Sequence, residues 1–197
     1  MTRIRLAAFS VLALCVGSAT AAELVGVDGS KVQYTNPAAV RINGKDMNFV
    51  LTGTALRKKF VFNVYAIGSY VQEGVKVKSA EELAAADCPK RLWLVMERDV
   101  EGKEMAEAFR TAIRLNHPEP AFNDEVHKLS EFMQTLSVKQ GDHVWLTHVP
   151  GVGLHCQLMN KADLTIQNPK FSRAVWDIYL GKNNLGDGIK KGLLSRQ

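Results

Sequence analysis

Phe60-Val61-Phe62-Asn63-Val64-Tyr65-Ala66-Ile67-Gly68-Ser69-Tyr70-Val71 is the stretch on which the fold turns. Its β-branched and aromatic residues suit a pleated, extended chain. Both parities are largely apolar, which predicts a central strand covered on both faces. Gly68 inside it predicts a bulge or a close contact. Upstream, Val40-Arg41-Ile42-Asn43-Gly44-Lys45 sets an Asn-Gly pair between two extended segments, a strong hairpin signal. Downstream, Arg91 to Arg98 alternates, with Leu92, Leu94 and Met96 on one side and Trp93 and Val95 on the other.

The period then changes. Met105, Ala108, Phe109, Ala112 and Ile113 follow helical spacing up to His117-Pro118. Phe122, Val126, Leu129, Phe132, Met133 and Leu136 predict a second helix, capped by Asn123 or Asp124 and stopped by Gly141. His143 to Val149 and Leu154 to Met159 flank a Pro-Gly turn and predict another hairpin. Leu164 to Gln167 adds a short strand. Phe171, Ala174, Val175 and Ile178 predict a further helix ended by Gly181, and Asp187 to Leu194 a short last one. Hairpin-linked strands imply an antiparallel sheet, and the apolar helix stripes must cover one face of it. The expected class is α+β in two layers, a large antiparallel sheet with helices layered on one face.

The N-terminus predicts export. Arg3 and Arg5 precede an uncharged apolar run, Leu6 to Val16, and Ala19-Thr20-Ala21 matches a signal-peptidase site. That run is shorter than the roughly 18–20 residues a membrane-spanning helix needs. Cys15 offers the alternative of a lipoprotein signal, against which stand Leu14 before it and Val16 after it. The expectation is therefore a cleaved signal peptide over residues 1–21 and one domain over residues 22–197, periplasmic or secreted, without a membrane span. The net charge of +5 is spread along the chain, with no basic cluster interleaved with aromatics, so a nucleic-acid partner is not expected. Cys88 and Cys156 are open to two readings, a disulfide in an oxidising compartment or two separate small hydrophobes.

Catalytic motifs are missing: there is no Gly-rich phosphate loop, no G-x-S-x-G and no H-E-x-x-H. His143, His148 and His155 lie near one predicted hairpin, but His143 and His148 have opposite parity on a regular strand, and no metal or cofactor is expected. Gly53-Thr54-Ala55-Leu56-Arg57 is more unusual. An arginine entering a core strand is expensive to bury unless paired. Arg57 either sits at a solvated strand end beside Lys58 and Lys59 or is held for an anionic ligand, to which its planar fork is suited.

At these residues the chain resembles the chalcone isomerase-like family, in particular its bacterial exported members. Gly53 to Arg57 followed by Val64-Tyr65-Ala66-Ile67-Gly68-Ser69-Tyr70-Val71 is similar to the family's glycine-rich segment ending in arginine and its Ala-Ile-Gly strand. Phe171 to Lys182 is similar to its C-terminal helix running into Gly-Lys, and Glu101-Gly102-Lys103-Glu104-Met105 to the start of its first long helix. The resemblance spans most of residues 30–194. It implies an open-faced β-sandwich. It also implies either enzymes that cyclise chalcones or fatty-acid-binding proteins that use the same cleft without catalysis.

Carried over residue by residue, the family's ligand-binding arginine corresponds to Arg57. The enzyme's threonine corresponds to Tyr65, its helical tyrosine to Met105, its asparagine to Ala112, and the hydroxyl-bearing position of the C-terminal helix to Ile178. One cation, one phenol and an apolar wall suit a long acyl chain with a carboxylate better than a polyphenol. The resemblance thus implies a non-catalytic protein that binds a fatty acid or similar apolar carboxylate through Arg57, Tyr65, Met105, Ala112 and Ile178. An isomerase of the chalcone type, and an accessory domain with a closed cleft, are the alternatives. The Arg57–Tyr65 spacing is shorter than in the plant enzymes. Eight fully extended residues would hold the two about 27 Å apart, so a shared site requires a turn or bulge between them, at Lys58-Lys59.

Overall fold

The computed structural model describes residues 22–42 and 44–197. The expected signal peptide and Asn43 of the Asn-Gly pair lie outside the described residues. In chain order the elements are β1 (Glu23–Gly26), β2 (Gln33–Asn36), β3 (Ala38–Ile42), β4 (Lys45–Lys59), β5 (Phe62–Gln72), α1 (Ala80–Ala85), β6 (Lys90–Met96), β7 (Val100–Glu101), α2 (Gly102–Arg114), α3 (Asn123–Gln134), β8 (Ser137–Val138), β9 (His143–Val149), β10 (Gly153–Leu158), β11 (Ala162–Ile166), α4 (Pro169–Leu180) and α5 (Asp187–Gly192). Seven strands form one sheet in the order β11-β10-β9-β6-β5-β4-β3, every neighbouring pair antiparallel. The α+β architecture expected from the sequence is the one found. Among the described residues no helix is long and apolar enough to cross a membrane.

Strand alternation sorts the core. Leu92, Leu94 and Met96 of β6 face the helices and join Phe109, Leu129, Phe171 and Trp176 in the larger cluster. Trp93 and Val95 face the other way. There a β1–β2 ribbon covers part of the sheet, and Tyr34, fully buried, packs edge-on against Trp93 and donates to its carbonyl at 2.9 Å. The Tyr34 ring also explains Gly68, where a Cβ would come within 3.1 Å of it. This is the close contact, not the bulge.

The helices start where local chemistry directs. Asn168 accepts from the backbone N–H groups of Lys170 and Phe171 at 3.0 and 3.1 Å, and Pro169 opens α4 with its fixed φ. Ser79 caps α1 in the same way through Glu82. The expected cap of α3 is corrected. Its N-cap is Phe122, in a left-handed conformation and without a side-chain cap bond. Asn123 instead accepts from Arg114 at 2.7 Å. The central strand is also corrected at its start. Phe60 and Val61 form the turn between β4 and β5, with φ +55° at Phe60, and they are solvent-exposed rather than covered.

Lys90 is buried at the start of β6. Its Nζ donates to the carbonyls of Leu83 and Ala84, both at 2.8 Å, and lies 5.0 Å from the Trp176 ring centroid. It thus satisfies the last turn of α1. Burial pushes the ammonium down to about 8 from its ordinary 10.5. Between those values the unfolded chain holds more protons, so stability rises with pH across the window and is lost as pH falls through about 8. Wild type is expected to gain about 2 kcal/mol over Lys90→Met between about pH 8 and about pH 10 in urea titrations. Parallel pH profiles for the two proteins would refute the assignment.

Candidate functional site

β4 and β5 are the arms of one hairpin, and their register places Arg57 directly opposite Tyr65. The turn that brings them together is at Phe60-Val61, and the register shifts between Arg57 and Lys58. The spacing that the sequence requires to be broken is broken there, two residues beyond the expected place. Cross-strand partners present their side chains on the same face, here the helix-covered one, where Ala55, Tyr65 and Ile67 join the larger core.

Between this part of the sheet and α2 and α4 lies a cavity of about 440 Å³. Arg57, Tyr65, Met105, Ala112 and Ile178 all line it. Met105 and Ala112 lie two turns apart on the buried stripe of α2, and Ile178 projects from the last turns of α4. Leu94, Met96 and Phe109 extend the apolar wall. The closed-cleft alternative expects side chains to fill the space beside Arg57; that space is a cavity.

Polar groups gather at Arg57. Its Nη1 donates to the Leu185 carbonyl at 3.1 Å, and among the described residues it has no carboxylate within 4.0 Å. A guanidinium carries five N–H donors, so the fork keeps free donors beside the cavity. Leu185 is held in place by a loop stitched with asparagines. Asn116 donates to the carbonyls of Asp177 and Asn183 at 3.1 and 2.7 Å, Asn184 accepts from Gly186 N–H at 2.8 Å, and Leu185 N–H reaches the Ile178 carbonyl at 3.1 Å.

Tyr179 was not among the sequence candidates. Its hydroxyl lies 3.1 Å from that of Tyr65, and both line the cavity. Burial raises the pKa of both phenols, that of Tyr179 strongly, so both remain neutral hydroxyls. The C-terminal helix therefore still supplies a hydroxyl to the site, from the residue after Ile178. At the exposed rim, Glu104 pairs with Arg98 at 2.7 Å and Lys59 at 3.4 Å. The hydrogen bond from Arg98 holds its carboxyl below the usual range. The site holds one buried-side cation, two neutral hydroxyls and apolar walls. On the α2 side it is also lined by Glu107 and by Thr111, whose hydroxyl donates to the Glu107 carboxylate at 3.4 Å.

Residues 29–195 match the family profile described as chalcone isomerase-like. The chain belongs to the chalcone isomerase-like family. Among solved structures, it is similar to a fatty-acid binding protein of Arabidopsis thaliana, with a TM-score of 0.62 and 19% identity over 87% of this chain and 96% of that one. At that identity the likeness is one of fold. No curated protein sequence matches this chain. In this chalcone isomerase-like chain the histidines disperse. His148 is buried, bonded to Ser172 at 2.9 Å and Asp87 at 3.0 Å. His143 meets the Trp93 indole at 2.9 Å, and His155 pairs with Asp163 at 3.4 Å. Cys88 and Cys156 are free thiols, the second in the core, where burial pushes it up to about 12.

Proposed function

We propose that this chain is a non-catalytic, exported binding protein for a fatty acid or similar apolar carboxylate. The observation that carries this reading is the Arg57 fork, without a carboxylate partner among the described residues, beside two neutral hydroxyls and an apolar wall of Leu94, Met96, Met105, Phe109, Ala112 and Ile178. A carboxylate accepts bidentately from a guanidinium, and an acyl chain suits the apolar wall beyond it, while the charged rim groups Lys59, Arg98 and Glu104 pair with one another. The cavity volume falls within the range of small-molecule sites. The fold likeness to a fatty-acid binding protein supports the same direction. The isomerase alternative is disfavoured by Met105, Ala112 and Ile178, which stand where polar groups would orient a chalcone. Export rests on the basic, apolar and small-residue pattern of residues 3–21.

The test is native mass spectrometry of protein purified from its producing cells, followed by extraction of bound molecules. A co-purifying fatty acid and an N-terminus at residue 22 are the expected results. Apo mass that stays unchanged with added fatty acids would refute the ligand reading, and an intact N-terminus the export reading. Filling the cavity should shorten the accepted chain. Ala112→Phe is expected to weaken binding of the longest acyl chains by about tenfold or more while sparing short ones. Equal losses for all chain lengths would place the acyl chain elsewhere.

A further inference from the structure

The turn between β4 and β5 is built from residues that a turn does not call for. Hairpin turns favour Gly, Asn and Asp, which tolerate positive φ. Here Phe60 adopts φ +55° and is 90% exposed, Val61 is 82% exposed and Phe62 67%. These are three of the five exposed large hydrophobics among the described residues, and they are consecutive. A fourth, Leu115, lies on the cavity rim. The tip contributes nothing to either core cluster. Behind it stand Lys58 and Lys59, both exposed, and Lys59 lines the cavity while pairing across the hairpin with Phe62. The acids of the same rim are neutralised within the chain, Glu104 by Arg98 and Lys59, and Glu107 by Arg110.

We propose that the Phe60-Val61-Phe62 tip docks the cavity rim onto an anionic lipid bilayer. The three side chains enter the boundary between headgroups and acyl chains, and Lys58, with Lys59, meets lipid phosphates. Aromatic and aliphatic side chains partition into that boundary, and each basic residue near an anionic surface adds to the attraction. A second copy of this chain is a poorer occupant, because a tip of three side chains buries far less than the roughly 800 Å² per partner of a stable dimer. A bilayer has no such requirement. The inference deepens the fatty-acid reading, on which it rests for its cargo, since docking sets the cavity beside the phase in which fatty acids dissolve.

The test is co-sedimentation of the purified protein, its N-terminus defined by intact mass, with vesicles of phosphatidylglycerol and phosphatidylcholine in equal parts and with phosphatidylcholine alone. Stronger binding to the anionic vesicles, declining with salt, is expected. A triple variant, Phe60→Asn, Val61→Ser and Phe62→Thr, is expected to lose about thirtyfold or more. Lys58→Glu is expected to lose about tenfold on anionic vesicles and nothing on phosphatidylcholine. No vesicle binding by wild type, or undiminished binding by the triple variant, would overturn the proposal. So would a concentration-dependent dimer in sedimentation velocity that the triple variant abolishes, which would assign the tip to a second copy. Fatty-acid affinity in vesicle-free solution is expected to be unchanged in the triple variant. Vesicle binding by a wild type that takes up no fatty acid would sustain the docking and sink the cargo reading alone.

Discussion

Arg57→Ala is expected to weaken binding of a fatty-acid anion by about a hundredfold while leaving the fold intact. The guanidinium would offer a carboxylate two charge-assisted hydrogen bonds in a water-poor site, each worth about 1.5–3 kcal/mol. Its removal leaves the carboxylate beside the Tyr65 and Tyr179 hydroxyls, and the remaining cations of the lining, Lys59 and Arg98, are paired with Glu104 at the rim. The fold loses one hydrogen bond, to the Leu185 carbonyl, from a half-buried side chain, a change of about 1 kcal/mol. Isothermal calorimetry with the acid and its methyl ester separates charge recognition from chain burial. The acid should lose affinity and the ester should not. Arg57→Lys should recover part of the loss, because it restores charge without the fork. Equal affinity of Arg57→Ala and wild type for the acid would remove Arg57 from the site.

Gly53→Ala is expected to lower the melting temperature by about 5–10 °C, the equivalent of roughly 3 kcal/mol for a domain of this size. A Cβ at residue 53 would lie 2.1 Å from the Gly192 carbonyl oxygen, 2.6 Å from Leu193 C and 2.8 Å from Ser195 N. All three are backbone atoms, so no flexible side chain can yield, and the end of α5 must lift from β4. That contact is held by Thr52, whose hydroxyl donates to the Leu193 carbonyl at 2.8 Å and whose own carbonyl accepts from Arg196 N–H at 3.0 Å. The loop before α5 carries Leu185, so the same displacement loosens the support of Arg57. Gly26→Ala, where a Cβ meets nothing within 4 Å, is the control and should melt with wild type within about 0.5 kcal/mol. Matching melting curves for Gly53→Ala and wild type would refute the close-approach account.

The glycine-rich segment thus has a steric meaning that its residues alone do not state. Gly53 admits backbone too close for a Cβ and Gly68 a ring that a Cβ would crowd, but the neighbours are the end of α5 and Tyr34, remote in sequence. Lys90 and His148 are similar cases. Lysine and histidine in a strand read as solvated or half-exposed, and both are buried because α1, α4 and the loop at Asp87 bring them partners.

By itself the sequence determined most of the larger elements, though not the β1–β2 ribbon or α1, the antiparallel α+β class and the family, whose resemblance implied the candidate lining of the cleft. Each depends on periodicity, turn chemistry or short motifs that survive without knowledge of distant contacts. Alternation placed Leu92, Leu94 and Met96 against the helices, and helical spacing placed Met105 and Ala112 on one stripe. Only the tertiary structure decided the rest. Tyr179 meets Tyr65 across 114 residues, and the Leu185 carbonyl meets Arg57 across 128. Apolarity predicted that Phe60, Val61 and Phe62 belong to a covered strand, whereas the hairpin turns there and leaves them in solvent. Hydrophobic pattern reports what a residue would prefer to meet. Whether anything stands opposite it depends on where the chain turns and what packs above it.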